Sequence, residues 1–127
     1  MHINELSSRI IGAAIEVHRI LGPGLLESAY ETSLCYELKQ RKLSFERQKR
    51  LPVIYKGDQL DCGYVLDVVV ERQIILELKS CEQIKPIHKT QLLTYLKLSA
   101  LPLGLLLNFN RPSMREGIVR VVNQLPE

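Results

Sequence analysis

Several residue types are scarce in this sequence. It contains no tryptophan, two phenylalanines and three cysteines, which are Cys35, Cys62 and Cys81. The odd number of cysteines argues against a disulfide framework, and their spacing does not match that of zinc ligands. We interpret them as reduced thiols, which predicts a cytoplasmic protein.

Long apolar runs are also missing. The most apolar segment, LGLLLNF, has the length of a buried strand, and no run approaches the length of a membrane span. The N-terminal sequence MHINELSSRI lacks the basic region and apolar run of a signal peptide. We therefore expect no association with a membrane.

A strong excess of one charge is missing as well. The net charge of +3 permits an anionic partner, but the dense basic block of a DNA-binding arm is absent. Walker A loops, Rossmann glycine patterns and serine or cysteine nucleophile motifs are absent too. Hydrophobic residues make up 46% of the chain and charged residues 24%, as in an ordinary globular protein. The length predicts a single domain over residues 1–127.

Three segments have the pattern of helices. Apolar residues recur at steps of three and four over residues 3–21 and again over roughly 25–41. The GPG sequence at 22–24 separates these two helices, because proline cannot continue the hydrogen-bond ladder and glycine permits a sharp bend. A third helix is predicted from Pro86, which suits a first helical turn, to about Leu98.

The other segments have the pattern of strands. They are a strand from Phe45 to a turn at 56–58, strands at 60–70 and 74–79 joined by the turn 71–73, an apolar strand at 103–109 and a last strand at 117–125. The predicted order is α-α-β-β-β-α-β-β, which indicates a mixed α/β fold.

The hairpin formed by the second and third predicted strands carries three charged side chains. If Val70 faces Ile74 across the turn, the same register places Asp67 opposite Glu77, with β-carbons roughly 5 Å apart. Lys79 lies on the same face, because side chains alternate along a strand. A slip of one residue would put the two acids on opposite faces.

Two opposed carboxylates favour a metal site. They repel each other, and burying them is costly unless a cation neutralises them. Oxygen ligands suit Mg²⁺ or Mn²⁺, and Lys79 could stabilise developing negative charge or orient a water. The alternative is a solvated strand face with scattered charges. The apolar neighbours on that face, Val65, Val69 and Ile75, favour the metal site.

The acidic pattern resembles that of a known superfamily. Asp67 followed by Glu77, Leu78 and Lys79 is similar to the D…(D/E)-x-K signature of the PD-(D/E)XK nucleases. The order of elements also resembles their α-β-β-β-α-β core. The resemblance implies a restriction-endonuclease-like α/β fold, with a mixed central sheet flanked by helices. Family members usually carry an arginine two residues before the aspartate, where this chain has Val65.

Two further motifs add to the resemblance. Gly24, Glu27 and Tyr30 in GLLESAY fit G-x-x-E-x-x-Y, the motif of the GxxExxY proteins, a family of small bacterial proteins within the same superfamily. Gln91 and Tyr95 in QLLTY fit the Q-x-x-x-Y motif of several nuclease branches, and their spacing places both on one helix face. The likeness extends over nearly the whole chain.

The resemblance implies a Mg²⁺- or Mn²⁺-dependent phosphodiesterase that acts on nucleic acid, with DNA favoured over RNA. Asp67, Glu77 and the backbone carbonyl of Leu78 would bind the metal, and Lys79 would position water or stabilise charge. Glu27, one turn into the second helix, is a candidate third acid. Its alternative role is a favourable charge near the helix N-terminus.

Four other residues are candidates for binding the substrate. Gln91 and Tyr95 would line the groove, although both could be ordinary polar groups of a helix. His88 lies beside two lysines in the first turn of the third helix, where a role near phosphate is plausible. Tyr30 is either a core residue or a ligand of a carboxylate or phosphate.

A second function stays open from the sequence. The chain could be a non-catalytic module that binds nucleic acid or protein and keeps the metal site. Either function would suit a homodimer, because a small domain has little surface to span a duplex and two-fold pairing is the commonest assembly.

Overall fold

The chain begins with two helices that meet at a sharp corner. In the computed structural model, which describes residues 1–124, α1 spans Ile3–Leu21 and α2 spans Glu27–Gln40. Gly22 ends α1 with a φ of 69°, and Gly24 has a φ of 101°, a conformation that suits glycine. Both predicted helices and the break between them are confirmed. Helix α2 begins two residues later than predicted, because Leu26 is still extended.

Tyr30 fixes this corner. Its ring is fully buried and stacks on Phe109, with the ring centroids 4.4 Å apart. Its hydroxyl donates to the carbonyl of Gly22 over 2.6 Å and accepts the backbone N–H of Leu25 over 3.1 Å. These contacts favour the structural alternative for Tyr30, and its contact with a substrate stays a prediction.

Within residues 1–124, seven strands and a third helix follow the corner. They are β1 (Phe45–Arg50), β2 (Val53–Tyr55), β3 (Asp58–Leu60), β4 (Val65–Val70), β5 (Ile74–Lys79), α3 (Pro86–Ser99), β6 (Leu103–Asn108) and β7 (Ile118–Val122). Five strands form the main sheet in the order β1-β4-β5-β6-β7. Strands β5 and β6 are parallel and the other neighbours are antiparallel. This mixed sheet flanked by three helices is consistent with the expected restriction-endonuclease-like fold.

The region between Arg50 and Val65 differs from the prediction. The single strand expected from Phe45 is divided, and the expected strand at 60–70 begins only at Val65. Strands β2 and β3 form a small sheet of their own. Pro52 explains the interruption, because proline has no N–H for the ladder. The last strand is shorter than predicted, and Leu125 lies outside the described residues.

The helices cover the two faces of the main sheet. Helices α1 and α2 pack on one face, in a cluster that includes Leu34, Leu76 and Leu105. Helix α3 packs on the other through Leu92. It lies so close to β6 that a β-carbon on Gly104 would be 2.8 Å from the Leu92 side chain. The close approach fixes α3 beside the central strands.

The three cysteines are free thiols, as expected. None of the helices that the structure describes is long and apolar enough to cross a membrane.

Candidate active site

The two acids lie where β4 and β5 stop pairing through their backbones. The predicted register is confirmed, because Val70 pairs with Ile74 and the ladder continues to the pair of Val68 and Leu76. Asp67 and Glu77 come next. The backbone N–H of Asp67 donates to Glu77 Oε2 over 2.9 Å, and the N–H of Leu78 donates to Asp67 Oδ2 over 2.9 Å. Each carboxylate is therefore held by the other strand.

Burial makes this pair electrostatically costly. Glu77 is only 9% exposed and Asp67 is half-buried. Burial, and then the charge of Asp67, raise the pKa of Glu77 from 4.5 to about 8. Burial also raises the pKa of Asp67, although the hydrogen bond from the Leu78 N–H opposes that shift. The site therefore favours a proton or a cation.

One oxygen of each acid is available to such a cation. Within residues 1–124, Asp67 Oδ1 and Glu77 Oε1 accept no hydrogen bond. In the same range, Arg111 Nε is the one fully buried side-chain nitrogen or oxygen that lacks a hydrogen-bond partner, so neither carboxylate oxygen is fully buried. The two carboxylate oxygens therefore keep some contact with solvent. Both can take a ligand that approaches from outside.

Lys79 ends β5 on the side of the acids. Its backbone pairs with Asn108 in the parallel register, and its carbonyl accepts the N–H of Phe109. Among residues 1–124 its ammonium forms no ion pair within 4.0 Å. Its charge acts to lower the pKa of both Asp67 and Glu77. Among the described residues, Lys79 is thus an unpaired cation close enough to the acid pair for its charge to act on both.

Glu27 lies nearby but further out. It is the first residue of α2 rather than one turn into it, and it is exposed. Its charge raises the pKa of Asp67, which indicates proximity. Within residues 1–124 no group of three or more histidine, cysteine, aspartate or glutamate side chains is arranged to hold a metal ion. The acids that contact each other's strands are Asp67 and Glu77. A role for Glu27 as a metal ligand stays a prediction.

Glu31 is an acid near the site that the sequence reasoning missed. It is buried one turn after Glu27, and its charge raises the pKa of both Asp67 and Glu77. Its Oε2 accepts from Arg47 over 2.9 Å and 3.2 Å, and its Oε1 accepts from the Gln48 amide over 2.8 Å. Glu31 could have been identified from its position in the sequence, because it lies four residues after Glu27 and next to Tyr30.

Gln48, which lies opposite Asp67 in the sheet, has a strained backbone conformation. It has a φ of 50° in the middle of β1, which is uncommon for a residue other than glycine. Arg47 pairs with Val68 and Lys49 with Leu66, so Gln48 faces Asp67 in that register. Such strain persists only where surrounding contacts impose it and is concentrated at functional sites. The hydrogen bond from Gln48 to the buried Glu31 is one such contact.

Gln91 and Tyr95 line one groove, beside the acids. The groove has a volume of about 530 Å³ and is also lined by Tyr64. Burial raises the pKa of the Tyr95 hydroxyl, and so do the charges of Glu77 and Asp67. Tyr95 therefore lines the groove and is close enough to the acid pair for their charges to act on it. Both residues line the same groove, and their contact with a substrate stays a prediction.

His88 lies in the first turn of α3. Its Nδ1 accepts the backbone N–H of Lys85 over 3.1 Å, so a neutral ring carries its proton on Nε2. Burial lowers the pKa of His88, as do the charges of Lys79 and Lys85. A neutral ring with a free Nε2–H can donate to a phosphate oxygen.

Comparison with protein families agrees with this geometry. A family model described as the PD-(D/E)XK nuclease superfamily matches residues 4–121. The chain therefore belongs to the PD-(D/E)XK nuclease superfamily. Comparisons with curated proteins and with solved structures gave no match.

Proposed function

We propose that this protein is a metal-dependent phosphodiesterase that cleaves nucleic acid. The observation that supports this most is the pair of acids, Asp67 and Glu77, with Lys79 at the same strand end and without an ion pair among residues 1–124. Membership of a nuclease superfamily supports nucleic acid as the substrate. The proposal takes residues 1–127 as one nuclease domain.

The donor set fits Mg²⁺ or Mn²⁺. Mg²⁺ is usually bound by one or two carboxylates and keeps several waters or substrate oxygens, so a third acid is not required. Asp67 and Glu77 each offer one free oxygen. The backbone carbonyl of Leu78 points to the same side as its N–H, which faces Asp67. A bound ion would supply charge stabilisation at the phosphate and a more acidic water.

The residues around the acids have separate roles in this proposal. Lys79 stabilises negative charge on the phosphate as the bond breaks, because a fixed cation in a half-buried site is most effective there. His88 donates from Nε2 to a neighbouring phosphate oxygen. Gln91 and Tyr95 hold the strand beside the acids, which keeps the phosphate in line for attack.

The finer assignments are part of the same proposal. We assign the chain to the GxxExxY family, because the motif has a physical role in this fold. Gly24 adopts a positive φ at the corner and Tyr30 locks that corner through its hydroxyl. We also propose DNA rather than RNA as substrate, a homodimer as the assembly and the cytoplasm as the compartment.

The rival function is a non-catalytic module that binds nucleic acid or protein. Such a module would use the acids to hold a metal but would gain nothing from Lys79. A cation beside the ligands weakens metal binding by repulsion. Lys79 therefore distinguishes the two functions.

The test is a cleavage assay on single-stranded DNA, duplex DNA and RNA, with Mg²⁺ or Mn²⁺ and with EDTA. We expect wild type to cleave only with metal, and Asp67→Asn to be inactive. Lys79→Ala should bind metal at least as well as wild type but cleave ~10²-fold less or worse. Lys39→Ala, a change of an exposed lysine in the last turn of α2, serves as the matched control. A wild type that cleaves no substrate, with Lys79→Ala binding nucleic acid equally well, would favour the rival module.

A further inference from the structure

The groove beside the acids extends along helix α3. One wall runs from Ile87 to Leu98, about 16 Å along the helix. The other wall is made by Val53, Cys62 and Tyr64, which belong to β2 and to the segment that leads into β4. The volume of about 530 Å³ is within the range of small-molecule sites.

The lining of this groove is apolar and aromatic, with few polar groups. Tyr64 is 44% exposed, and its ring is tilted by 57° against that of Tyr95, with the centroids 5.9 Å apart. The ring of Tyr64 therefore has surface available for stacking. Gln91 is exposed, and within the part of the chain that the structure describes its amide has no hydrogen-bond partner. A free amide offers both a donor and an acceptor.

A flat ligand with apolar faces and a polar edge matches this lining. A nucleobase has that shape, and bases stack on aromatic side chains whatever their sequence. In a duplex, the faces of the bases are covered by their neighbours, so the groove can receive only an unpaired base. The chemistry of the groove thus distinguishes single strands from duplexes.

The charges around the groove match the path of a nucleic-acid strand. Lys85 and Lys89 are exposed in and next to the first turn of α3, where His88 also lies. Lys79 is close enough to lower the pKa of His88. Phosphates can therefore follow the first turn of α3 while the attached bases enter the groove. Tyr95 is the groove residue on which the charges of the acids act.

We propose that this groove binds unpaired bases adjacent to the bond that is cut, and that Tyr64 is the stacking platform. The preferred substrate is then a single-stranded segment of nucleic acid. This inference rests on the proposed function, because it places the strand relative to the acid pair. Tyr64 lies outside every motif of the sequence, and its exposure beside Tyr95 carries the assignment.

The test measures binding without catalysis. Oligonucleotides of about eight nucleotides, single-stranded or annealed, carry the fluorescent base 2-aminopurine and are titrated in EDTA. We expect single strands to bind more tightly than duplexes and their fluorescence to be quenched. Tyr64→Leu should weaken single-strand binding by about fivefold or more, the lower end for one stacked base. Tyr64→Phe should stay within about twofold, because it keeps the ring.

The matched control is Tyr36→Leu. Tyr36 is 60% exposed on α2, away from the groove. Equal binding of single strands by wild type and Tyr64→Leu would overturn the inference, and so would an absence of binding. Cleavage by wild type with metal would show in either case that the proposed function stands. A dimer that dissociates more readily in Tyr64→Leu, without quenching in wild type, would identify the groove as a contact between copies of the chain.

Discussion

Raising the pH in the absence of metal should destabilise this protein through Glu77. The unfolded carboxyl has its ordinary pKa of 4.5, whereas the folded one has a pKa of about 8. Between these values the folded state keeps a proton that the unfolded state has released. The free energy of unfolding therefore falls as the pH rises, by about 1.4 kcal/mol per pH unit. The full gap corresponds to roughly 5 kcal/mol.

The direction of this effect follows from linkage. The stabilising contribution is fully present below the unfolded pKa and is lost as the pH rises through the folded pKa. The raised pKa of Asp67 adds a loss of the same sign. Replacing Glu77 by glutamine removes the titration but keeps an oxygen that can accept the N–H of Asp67. Glu77→Gln should therefore be close to wild type in stability at low pH and more stable at high pH.

Urea denaturation in EDTA, between about pH 5 and pH 9, measures this difference. Glu46→Gln is the matched control, because Glu46 is an exposed acid of β1 that pairs with Lys49. The free energy of unfolding of Glu46→Gln should depend on pH as that of wild type does. Saturating Mn²⁺ should abolish this dependence in wild type, because the bound metal favours the ionised acids. A wild type whose stability is flat with pH, or a Glu77→Gln variant with the same slope, would refute the reasoning.

Three further predictions concern metal binding and packing. Mn²⁺ should raise the melting temperature of wild type but not of Asp67→Asn, and equal shifts would contradict the ligand assignment. Tyr30→Phe should lower the free energy of unfolding by about 1–3 kcal/mol, because two backbone groups of the corner lose their partner; unchanged stability in urea would contradict this. Gly104→Ala should lower it by about 1–3 kcal/mol through the clash with Leu92. Gly12→Ala is its control, because nothing lies within 4 Å of that β-carbon, and equal effects would argue against the clash.

The sequence predicted the parts of the fold that local rules control. Helical periodicity located α1, and the proline between two glycines located the corner. The three-residue turn fixed the register of β4 and β5, so the positions of Asp67 and Glu77 followed from counting. These features depend on short-range geometry, which residue types determine directly.

The features that the sequence did not reveal depend on packing between residues that are distant in the chain. The motif residue Tyr30 looked like a candidate for the site, but its hydroxyl turns back to the corner. Glu31 went unnoticed, because the helix pattern does not say which turn of α2 faces the end of β4. The strained Gln48 hydrogen-bonds to Glu31, which lies 17 positions away in the chain. Such contacts override local preference and are visible only in the folded chain.

The small sheet of β2 and β3 contributes to one wall of the groove and is separate from the main sheet. Its two strands pair with each other, and every residue from Ile54 to Leu60 is exposed. Elements with few buried apolar groups open locally at low free energy, without global unfolding. Amide hydrogens in β2 and β3 should then exchange faster than those in β5 and β6. On the proposed function, local opening of this wall would let a nucleic-acid strand with no free end enter the groove laterally.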